Sequence, residues 1–502
     1  MINSRQVRAK KNILMSLASQ IVVLICGIVV PRLMIGEFGS EAYGATTSIA
    51  QFLAYITLLE GGIGGVARAA MYKPLAQRDM NSISVIIGEI RSFFSVVAWI
   101  FAGYVLVLAC GFHSLSQMKG MDWFTSFVLV IVISISNFGQ YFIGISYSIL
   151  LQADQKSYIT YAVSIGSTII NAISIVFLIS LGCNLIIVKL VSSCIFFMRP
   201  VVLWLYVKKH YLIKKHKPTK GTFFLTQKWN GLGQHIAYFL HSNTDIAVLT
   251  ILADLRTVAV YSVYNMIITH IQNLAMSFVS GMEAVFGDML VRDENEQLQK
   301  TFGMYETILS VVSVILFSVT TVLIAPFIKI YTSGITDTDY IQPIFAVLMV
   351  MTALSYCLRL PYHSMVIAAG HFKQTSFSAY GEAIINISLS VVLVSKFGLV
   401  GVAAATLIAT WFRFIYYVFY LSKNIFCRKV GLFIKRISIN IFVVVINCLL
   451  GTRIISIFSI TNYISWAFCG VLLVIVISVL TLSINVCFFR KEITVLFHRF
   501  IK

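Results

Sequence analysis

Long apolar runs separated by short polar breaks dominate the sequence, and they limit the folds open to it more than any other feature. A helix crosses the hydrocarbon layer of a membrane with about 20 apolar residues, and the runs have that length. Only 11% of the residues are charged, whereas a soluble domain carries about 25%. The sequence therefore predicts an all-α polytopic membrane protein with about fourteen transmembrane helices. The predicted spans are residues 13–35, 42–67, 86–111, 123–150, 158–181, 184–207, 231–253, 258–285, 301–328, 342–367, 376–396, 399–422, 436–453 and 463–488.

Basic residues outnumber acidic ones, with 38 Lys and Arg against 19 Asp and Glu. If the N-terminus lies in the cytoplasm, most of the basic residues fall in cytoplasmic segments. These segments begin the chain, follow the sixth and twelfth spans, and end the chain. The pattern obeys the positive-inside rule, so we expect both termini in the cytoplasm. The charge excess orients the protein in the membrane, and we expect no nucleic-acid partner.

The sequence contains none of the common catalytic or cofactor motifs. A nucleophile elbow, a Walker A loop and an H-E-x-x-H helix are absent, and the loops are too short for a soluble domain. The nine cysteines are scattered and lack the spacing of metal ligands. We therefore expect no enzymatic activity, no cofactor and no bound metal.

Internal repeats divide the sequence into two halves. The segment "GSTIIN" at 166–171 recurs as "GEAIIN" at 381–386, and Asn12 and Tyr43 recur 218 residues later as Asn230 and Tyr261. Two halves of six helices each have the same orientation, so the pattern is that of parallel-repeat transporters. The predicted organisation is an N-terminal six-helix lobe at 1–207, a basic cytoplasmic linker at 208–230, a C-terminal six-helix lobe at 231–422, and two additional helices with a cytoplasmic tail at 423–502.

Ionisable side chains inside the predicted spans are the candidates for function, because each costs about 2.5–3.5 kcal/mol near the centre of a helix. Asp245 lies deep in its span, where a short carboxylate cannot extend to the membrane surface. Arginines suit a diphosphate head group, since the planar guanidinium binds phosphate through two parallel hydrogen bonds. A long basic side chain near the end of a span is also explained as an anchor that reaches the surface. The candidates are Glu60, Asp245, Arg199, Arg359 and Arg413 and, nearer the cytoplasmic ends of their spans, Arg68, Arg91, Glu283 and Glu382.

The stretch "EGGIGGVAR" at 60–68 has the G-x-G-x-x-A spelling of a dinucleotide-binding turn. Such a turn needs a short strand before its glycines, and here a long apolar run precedes them. We interpret the stretch instead as part of a membrane helix, in which Gly61 and Gly65 allow close helix packing. On a continuous helix Glu60, Gly64 and Arg68 would share one face.

The segment "PRLMIGEFGSEAYGATTSIAQFLAYITLLEGGIGGVAR", residues 31–68, resembles the first hairpin of the multidrug/oligosaccharidyl-lipid/polysaccharide exporter superfamily. Its closest likeness is to the polysaccharide-transporter branch of O-antigen-type flippases. The segment "SNTDIAVLTILADLRTVAVYSVYNMI", residues 242–267, is similar to the seventh-to-eighth hairpin of that family, with Asn243, Asp245 and Tyr261 at the recurring positions. The two G-x-x-I-I-N segments resemble the family's fifth and eleventh helices. The first hairpin matches the family pattern at Gly39, Tyr43, Gly44, Glu60, Gly61, Gly62 and Arg68.

The resemblance implies a flippase of the bacterial inner membrane. Its substrate would be an undecaprenyl-diphosphate-linked oligosaccharide, the repeat unit of O-antigen or capsule, moved to the periplasmic leaflet by alternating access. With no nucleotide site in the sequence, the energy would come from an H+ or Na+ gradient, from substrate mass action or from downstream polymerisation. We expect membrane lipids, a polysaccharide polymerase and a chain-length regulator as partners. The expected roles are substrate binding for Arg68, Arg199, Arg359 and Arg413, and ion coupling for Asp245, with Glu60 as second choice.

Two rival functions remain within the same superfamily. A cation-coupled drug or metabolite antiporter usually has twelve helices, so the last two predicted spans argue against it. A peptidoglycan-precursor flippase has fourteen, but its cavity is rich in arginines from the first two helices, and the first span here offers only Arg32. A membrane-bound polymerase or glycosyltransferase would need a large catalytic loop, and a scaffold would not need buried charges.

Overall fold

The computed structural model describes residues 2–60, 63–213, 232–277, 282–426 and 429–489, and within those ranges the chain is helical without a strand. The first half contains α1 (Ile2–Ala54), α2 (Ile63–Gln77), α3 (Met80–Leu115), α4 (Trp123–Gly139), α5 (Ile145–Ala153), α6 (Ser157–Ser180) and α7 (Leu185–His210). The second half contains α8 (Leu232–Leu252), α9 (Leu255–Met276), α10 (Met282–Val291), α11 (Asn295–Tyr331), α12 (Pro343–Ala368) and α13 (Phe372–Asn424). The chain continues through α14 (Gly431–Ile457) and α15 (Tyr463–Phe488).

Two helices, α1 and α13, each supply a pair of predicted spans. Each has 53 residues, about 80 Å of helix, whereas one crossing of the hydrocarbon layer needs about 30 Å. The backbone of α1 leaves helical geometry at Gly39 (φ 83°, ψ 167°), and that of α13 does so at Gly398 (φ 52°, ψ −127°). Both are conformations that glycine adopts readily because it has no Cβ. Each kink lies between the two spans predicted there.

The predicted second span at 42–67 is not a regular α-helix along its described length. The α-helix ends at Ala54, a 3-10 turn follows at Tyr55–Glu60, and α2 begins at Ile63. In the eighth predicted span, 258–285, α9 ends at Met276 and α10 begins at Met282, and residues 278–281 lie outside the described residues. A hydropathy run reports only that the residues are apolar, so it cannot detect a break between two apolar helices.

The fourth span combines α4, a π-helical turn at Gln140–Gly144, and α5. A π turn widens the helix by one residue, and such turns are frequent at functional sites. Here it contains Tyr141, whose hydroxyl donates a hydrogen bond to Glu60, one of the predicted site residues.

The outward surface of the helices is apolar, as expected of a protein in lipid. Ten helices in the described part of the chain are long and apolar enough to cross a membrane. Their large apolar side chains are exposed along whole faces, for example Val107 on α3 at 74% and Ile464 on α15 at 83%. A soluble monomer rarely carries such extended apolar patches. The multi-pass membrane architecture with about fourteen spans is confirmed.

The chain forms two compact units. The first comprises Met1–Phe239 and Leu249–Ala259, and in it α1 packs on α6 while α4 and α6 pack on α7. The second comprises Leu240–Val248 and Val260–Lys502, and in it α12 packs on α11 and α13. The C-terminal helices α14 and α15 pack on α11 in the second unit. The domain limits given above stay a prediction, and most of the 208–230 linker and the end of the tail lie outside the described residues.

Candidate functional site

Asp245 lies on α8 in a buried group of oxygen atoms within the second unit. Its side chain is 5% exposed, and Tyr261 of α9 donates a hydrogen bond to its Oδ2 at 2.9 Å. The hydroxyl of Thr406 on α13 lies 3.1 Å from Oδ1 and 3.0 Å from Oδ2. The same hydroxyl lies 3.0 Å from the carbonyl oxygen of Val402 and accepts a hydrogen bond from Nδ2 of Asn386 at 2.8 Å.

The group consists of oxygen atoms from a carboxylate, two hydroxyls and a carbonyl, and the carboxylate of Asp245 gives it one formal negative charge. The described residues provide no Lys or Arg as an ion-pair partner for Asp245. The Oδ1 atom of Asn386 is buried and has no hydrogen-bond partner in the described structure. Carboxylate, hydroxyl and carbonyl oxygens are the ligands of hard cations, and a buried carboxylate is also a proton carrier. The arrangement is therefore chemically suited to taking up a proton or a small monovalent cation.

An Arg-Glu-Arg ion triad is centred on Glu382 of α13, one helical turn before Asn386. Glu382 is completely buried, and its two carboxylate oxygens accept hydrogen bonds from different arginines. Nη1 of Arg359 on α12 donates to Oε1 at 2.5 Å, and Nη1 of Arg413 donates to Oε2 at 2.7 Å. Both arginines are 4% exposed. Two guanidinium groups on one carboxylate leave the triad with one net positive charge.

Aromatic residues complete the surroundings of the triad. Nε of Arg413 donates to the hydroxyl of Tyr417 at 3.0 Å, and Nδ1 of His363 lies 3.3 Å from the same hydroxyl. The guanidinium of Arg359 lies 4.9 Å from the ring centre of Tyr356, within cation–π range. The predicted contact of Arg359 and Arg413 with a substrate head group stays a prediction. In this conformation both side chains donate hydrogen bonds to Glu382.

A second buried ion pair, between Glu306 and Arg436, was not predicted from the sequence. Glu306 on α11 accepts a hydrogen bond from the hydroxyl of Tyr362 and lies 3.4 Å from Nε of Arg436 on α14. Nη1 of Arg436 also donates to the hydroxyl of Thr307 at 2.7 Å. This cluster ties the first of the two C-terminal helices to the core of the second unit. The available signal was the acidic residue itself, since Glu306 lies inside the predicted span 301–328.

In the first unit, Glu60 lies at the end of the 3-10 turn and is half-buried. The hydroxyl of Tyr141 in the π turn donates to its Oε1 at 2.7 Å. Glu60 belongs to the 3-10 turn, whereas Gly64 and Arg68 belong to α2. The expectation that the three residues share one helix face stays a prediction, because it depends on residues 61 and 62. The close helix packing expected at Gly61 and Gly65 is not seen at Gly65, where the nearest described heavy atom to an added Cβ is Nη2 of Arg68 on the same helix, at 4.0 Å. Gly61 and Gly62 lie outside the described residues.

The two predicted substrate arginines of the first unit are half-buried and hydrogen-bonded to neutral side chains. Nη1 of Arg68 on α2 donates to Oε1 of Gln152 at 2.7 Å. Nε and Nη2 of Arg199 on α7 donate to the hydroxyls of Ser167 at 2.5 Å and Thr168 at 2.8 Å. No carboxylate among the described residues pairs with either arginine. Their substrate roles stay predictions.

The repeat recognised in the sequence has a structural counterpart at the arginines. Ser167 and Glu382 each occupy the second position of a G-x-x-I-I-N motif, on α6 and α13. Each accepts a hydrogen bond from an arginine of the following span, Arg199 in the first unit and Arg413 in the second. The motif asparagines, Asn171 and Asn386, are both buried, and in both Oδ1 has no partner in the described structure. In both halves the second motif position therefore accepts a hydrogen bond from an arginine, with a serine hydroxyl in the first half and a glutamate carboxylate in the second.

Comparisons with known proteins find similarity of structure without similarity of sequence. No protein-family model and no curated protein sequence matches the chain. The solved structure of lipid II flippase MurJ in an inward closed conformation matches with a TM-score of 0.69 at 16% identity. The match covers 96% of this chain and 99% of that one.

Transporters of the multidrug MATE family match over less of the chain. An inward-facing MATE family transporter of the MOP superfamily gives a TM-score of 0.54 at 13% identity, over 82% of this chain and 98% of that one. The eukaryotic MATE transporter AtDTX14 gives 0.57 at 12% identity, over 84% and 97%. At these identities the comparisons establish the fold, and the chain has the fold that the MurJ and MATE structures of this superfamily share.

Proposed function

We propose that the protein is a flippase that moves an undecaprenyl-diphosphate-linked oligosaccharide across the inner membrane by alternating access. The supporting observation is the extent of the structural match. The MurJ structure covers 96% of the chain, whereas the two MATE structures cover 82% and 84%. The difference is about the length of α14 and α15 together, so the two C-terminal helices favour a lipid-linked substrate over a small drug.

The proposed coupling site is Asp245 with the oxygen atoms of Thr406, Val402 and Asn386. A proton or Na+ bound there neutralises the buried carboxylate. Tyr261 and Thr406 hydrogen-bond Asp245 from α9 and α13, so ion binding would change the contacts among three helices. A transporter couples an ion to its conformation when the ion binds one state more tightly than the other. Glu60 with Tyr141 is the second choice for coupling.

The substrate assignment is tested by reconstitution. The purified protein in liposomes is given a lipid-linked O-antigen or capsule unit, and the fraction of sugar reached by a membrane-impermeant oxidant is followed over time. We expect faster exposure with an imposed Na+ or H+ gradient than without one. Transport of a hydrophobic cationic dye with no movement of the lipid-linked sugar would refute the proposal and favour the antiporter.

A peptidoglycan-precursor flippase is the second candidate, because the MurJ structure gives a TM-score of 0.69 over nearly the whole chain. Expression of the chain in two bacterial strains separates the candidates, one lacking its O-antigen flippase and one depleted of its lipid II flippase. Restored surface polysaccharide in the first strain alone is the result expected from the proposal. Growth rescue of the second strain alone would assign the peptidoglycan precursor instead.

The coupling site is tested by replacing Asp245 with asparagine, which removes the charge and keeps the size of the side chain. We expect loss of gradient-driven transport at an unchanged protein level. Asp288→Asn is the matched control, since Asp288 is exposed on α10 and pairs with Arg292 one turn away. Full transport by Asp245→Asn under an ion gradient would exclude Asp245 as the coupling carboxylate.

A further inference from the structure

The first unit contains a cavity that the proposed transport mechanism does not use. Its volume is about 780 Å³, and it opens between α3 and α7 with the π turn and α5 behind it. The size is that of pockets that bind small molecules, which have about 300–1,000 Å³. It lies at the end of the unit that carries the start of α3 and the end of α7, which the charge pattern predicts to be cytoplasmic.

The charged side chains that line the cavity are both basic. Arg91 of α3 and Lys208 of α7 line it, and none of its lining residues is acidic. No hydrogen bond or ion pair to another described residue engages the guanidinium of Arg91. Ser92 and Ser95 line the same wall of α3. The lining thus offers two cations and several hydroxyls, which are the groups that bind phosphate.

The neighbouring carboxylate does not cancel this charge. Asp154 accepts a hydrogen bond from the hydroxyl of Tyr211, which lines the cavity, at 2.5 Å. Nζ of Lys156 lies 2.7 Å from the same carboxylate, and Nη1 of Arg8 lies 3.4 Å from it. Burial first, and then the hydrogen bond to Asp154, raise the pKa of Tyr211, so its phenol stays neutral. Two cations already neutralise Asp154, so it does not cancel the positive charges of Arg91 and Lys208.

The surface next to the cavity is apolar and exposed. Such a surface favours a lipid over a soluble anion as the ligand of the cavity. Along α3, directly beyond the lining residues, Trp99 is 65% exposed and Ile100 51%. On α7 Leu205 is 51% exposed, and Lys208 places its ammonium 5.2 Å from the ring centre of Trp204. A basic pocket between transmembrane helices with an aromatic ring at its mouth is the arrangement that holds the head group of an anionic lipid.

We propose that this cavity binds the phosphate head group of an anionic membrane lipid, with the acyl chains lying along the exposed faces of α3 and α7. Arg91 and Lys208 bind the phosphate, and Ser92 and Ser95 of α3 contact the glycerol oxygens. The site belongs to the first unit alone and does not depend on the identity of the transported substrate.

The test is native mass spectrometry of the full-length protein with added lipids. We expect phosphatidylglycerol to bind more tightly than phosphatidylcholine, and the variant Arg91→Gln/Lys208→Gln to lose about 25-fold in affinity for phosphatidylglycerol, about fivefold for each charge. The control Lys10→Gln/Lys209→Gln removes two exposed basic residues that do not line the cavity and should bind like the unaltered protein.

A second variant, Ser92→Phe, keeps both charges and fills the cavity, and we expect it to lose the same lipid. Three results would overturn the proposal. They are equal binding of the two lipids, an equal loss in the control variant, and displacement of the lipid by glycerol phosphate at an affinity matching that of the diacyl lipid. The last result would assign the cavity to a soluble phosphate.

Discussion

Replacing Glu382 with glutamine should destabilise the second unit strongly. Glu382 is fully buried between Arg359 and Arg413, which are each 4% exposed. Its loss leaves two buried positive charges where the triad has one. Removing one partner of a buried ion pair costs about 3–5 kcal/mol, because the remaining charge is uncompensated. We expect a decrease of that size in the free energy of unfolding.

The measurement is reversible unfolding in mixed micelles, followed by tryptophan fluorescence. Glu296→Gln is the control, because Glu296 forms an exposed pair with Lys300 on α11 and its removal should cause no measurable change. The triple variant Arg359→Met/Glu382→Leu/Arg413→Met removes all three charges and should return to within about 1 kcal/mol of the unaltered protein. A free energy of unfolding for Glu382→Gln within about 0.5 kcal/mol of the unaltered value would refute the reasoning.

Two further predictions concern the first unit. Gly44→Ala should destabilise it by about 1–3 kcal/mol, because the new Cβ would lie 1.8 Å from the carbonyl oxygen of Leu255. The control is Gly64→Ala, which has open space at the Cβ and should be neutral or stabilising in the same unfolding assay. Asp79 caps α3, and the hydrogen bonds from the Ser82 hydroxyl and backbone lower its pKa below 3.8. The cap should therefore stabilise the protein fully above the ordinary pKa of an aspartate and lose that effect as the pH falls through the lowered pKa. Asp79→Asn should remove this acid dependence in unfolding curves measured at successive pH values, and unchanged acid dependence would contradict the assignment.

The spans were predictable because twenty apolar residues in a row have few other uses in a protein. The kinks at Gly39 and Gly398 also fell between predicted spans, since polar or glycine-containing breaks mark those points. The change from α-helix to a 3-10 turn at Tyr55–Glu60 was not predictable from hydropathy, because the residues on both sides of it are apolar. A helix can break without any loss of apolar character in the sequence.

The individual residues of the candidate site could be predicted from the sequence, but their hydrogen-bond and ion-pair partners could not. Asp245, Arg359 and Arg413 stand out in the sequence because each is an ionisable residue in an apolar run. The sequence could not show that Glu382 binds both arginines, because that depends on which faces of α12 and α13 meet. The repeat held a partial signal, since the Arg199 partner Ser167 corresponds to Glu382 in the second motif.

The exchange of a hydroxyl for a carboxylate between the two motifs has a consequence for how membrane voltage acts on the protein. A transmembrane potential acts on net charge at about 2.3 kcal/mol per elementary charge per 100 mV. The hydroxyls of Ser167 and Thr168 leave the charge of Arg199 intact, and Glu382 cancels only one of its two arginines. The arginine groups of the two motifs thus each keep one net positive charge. A negative-inside voltage pulls both charges toward the cytoplasm.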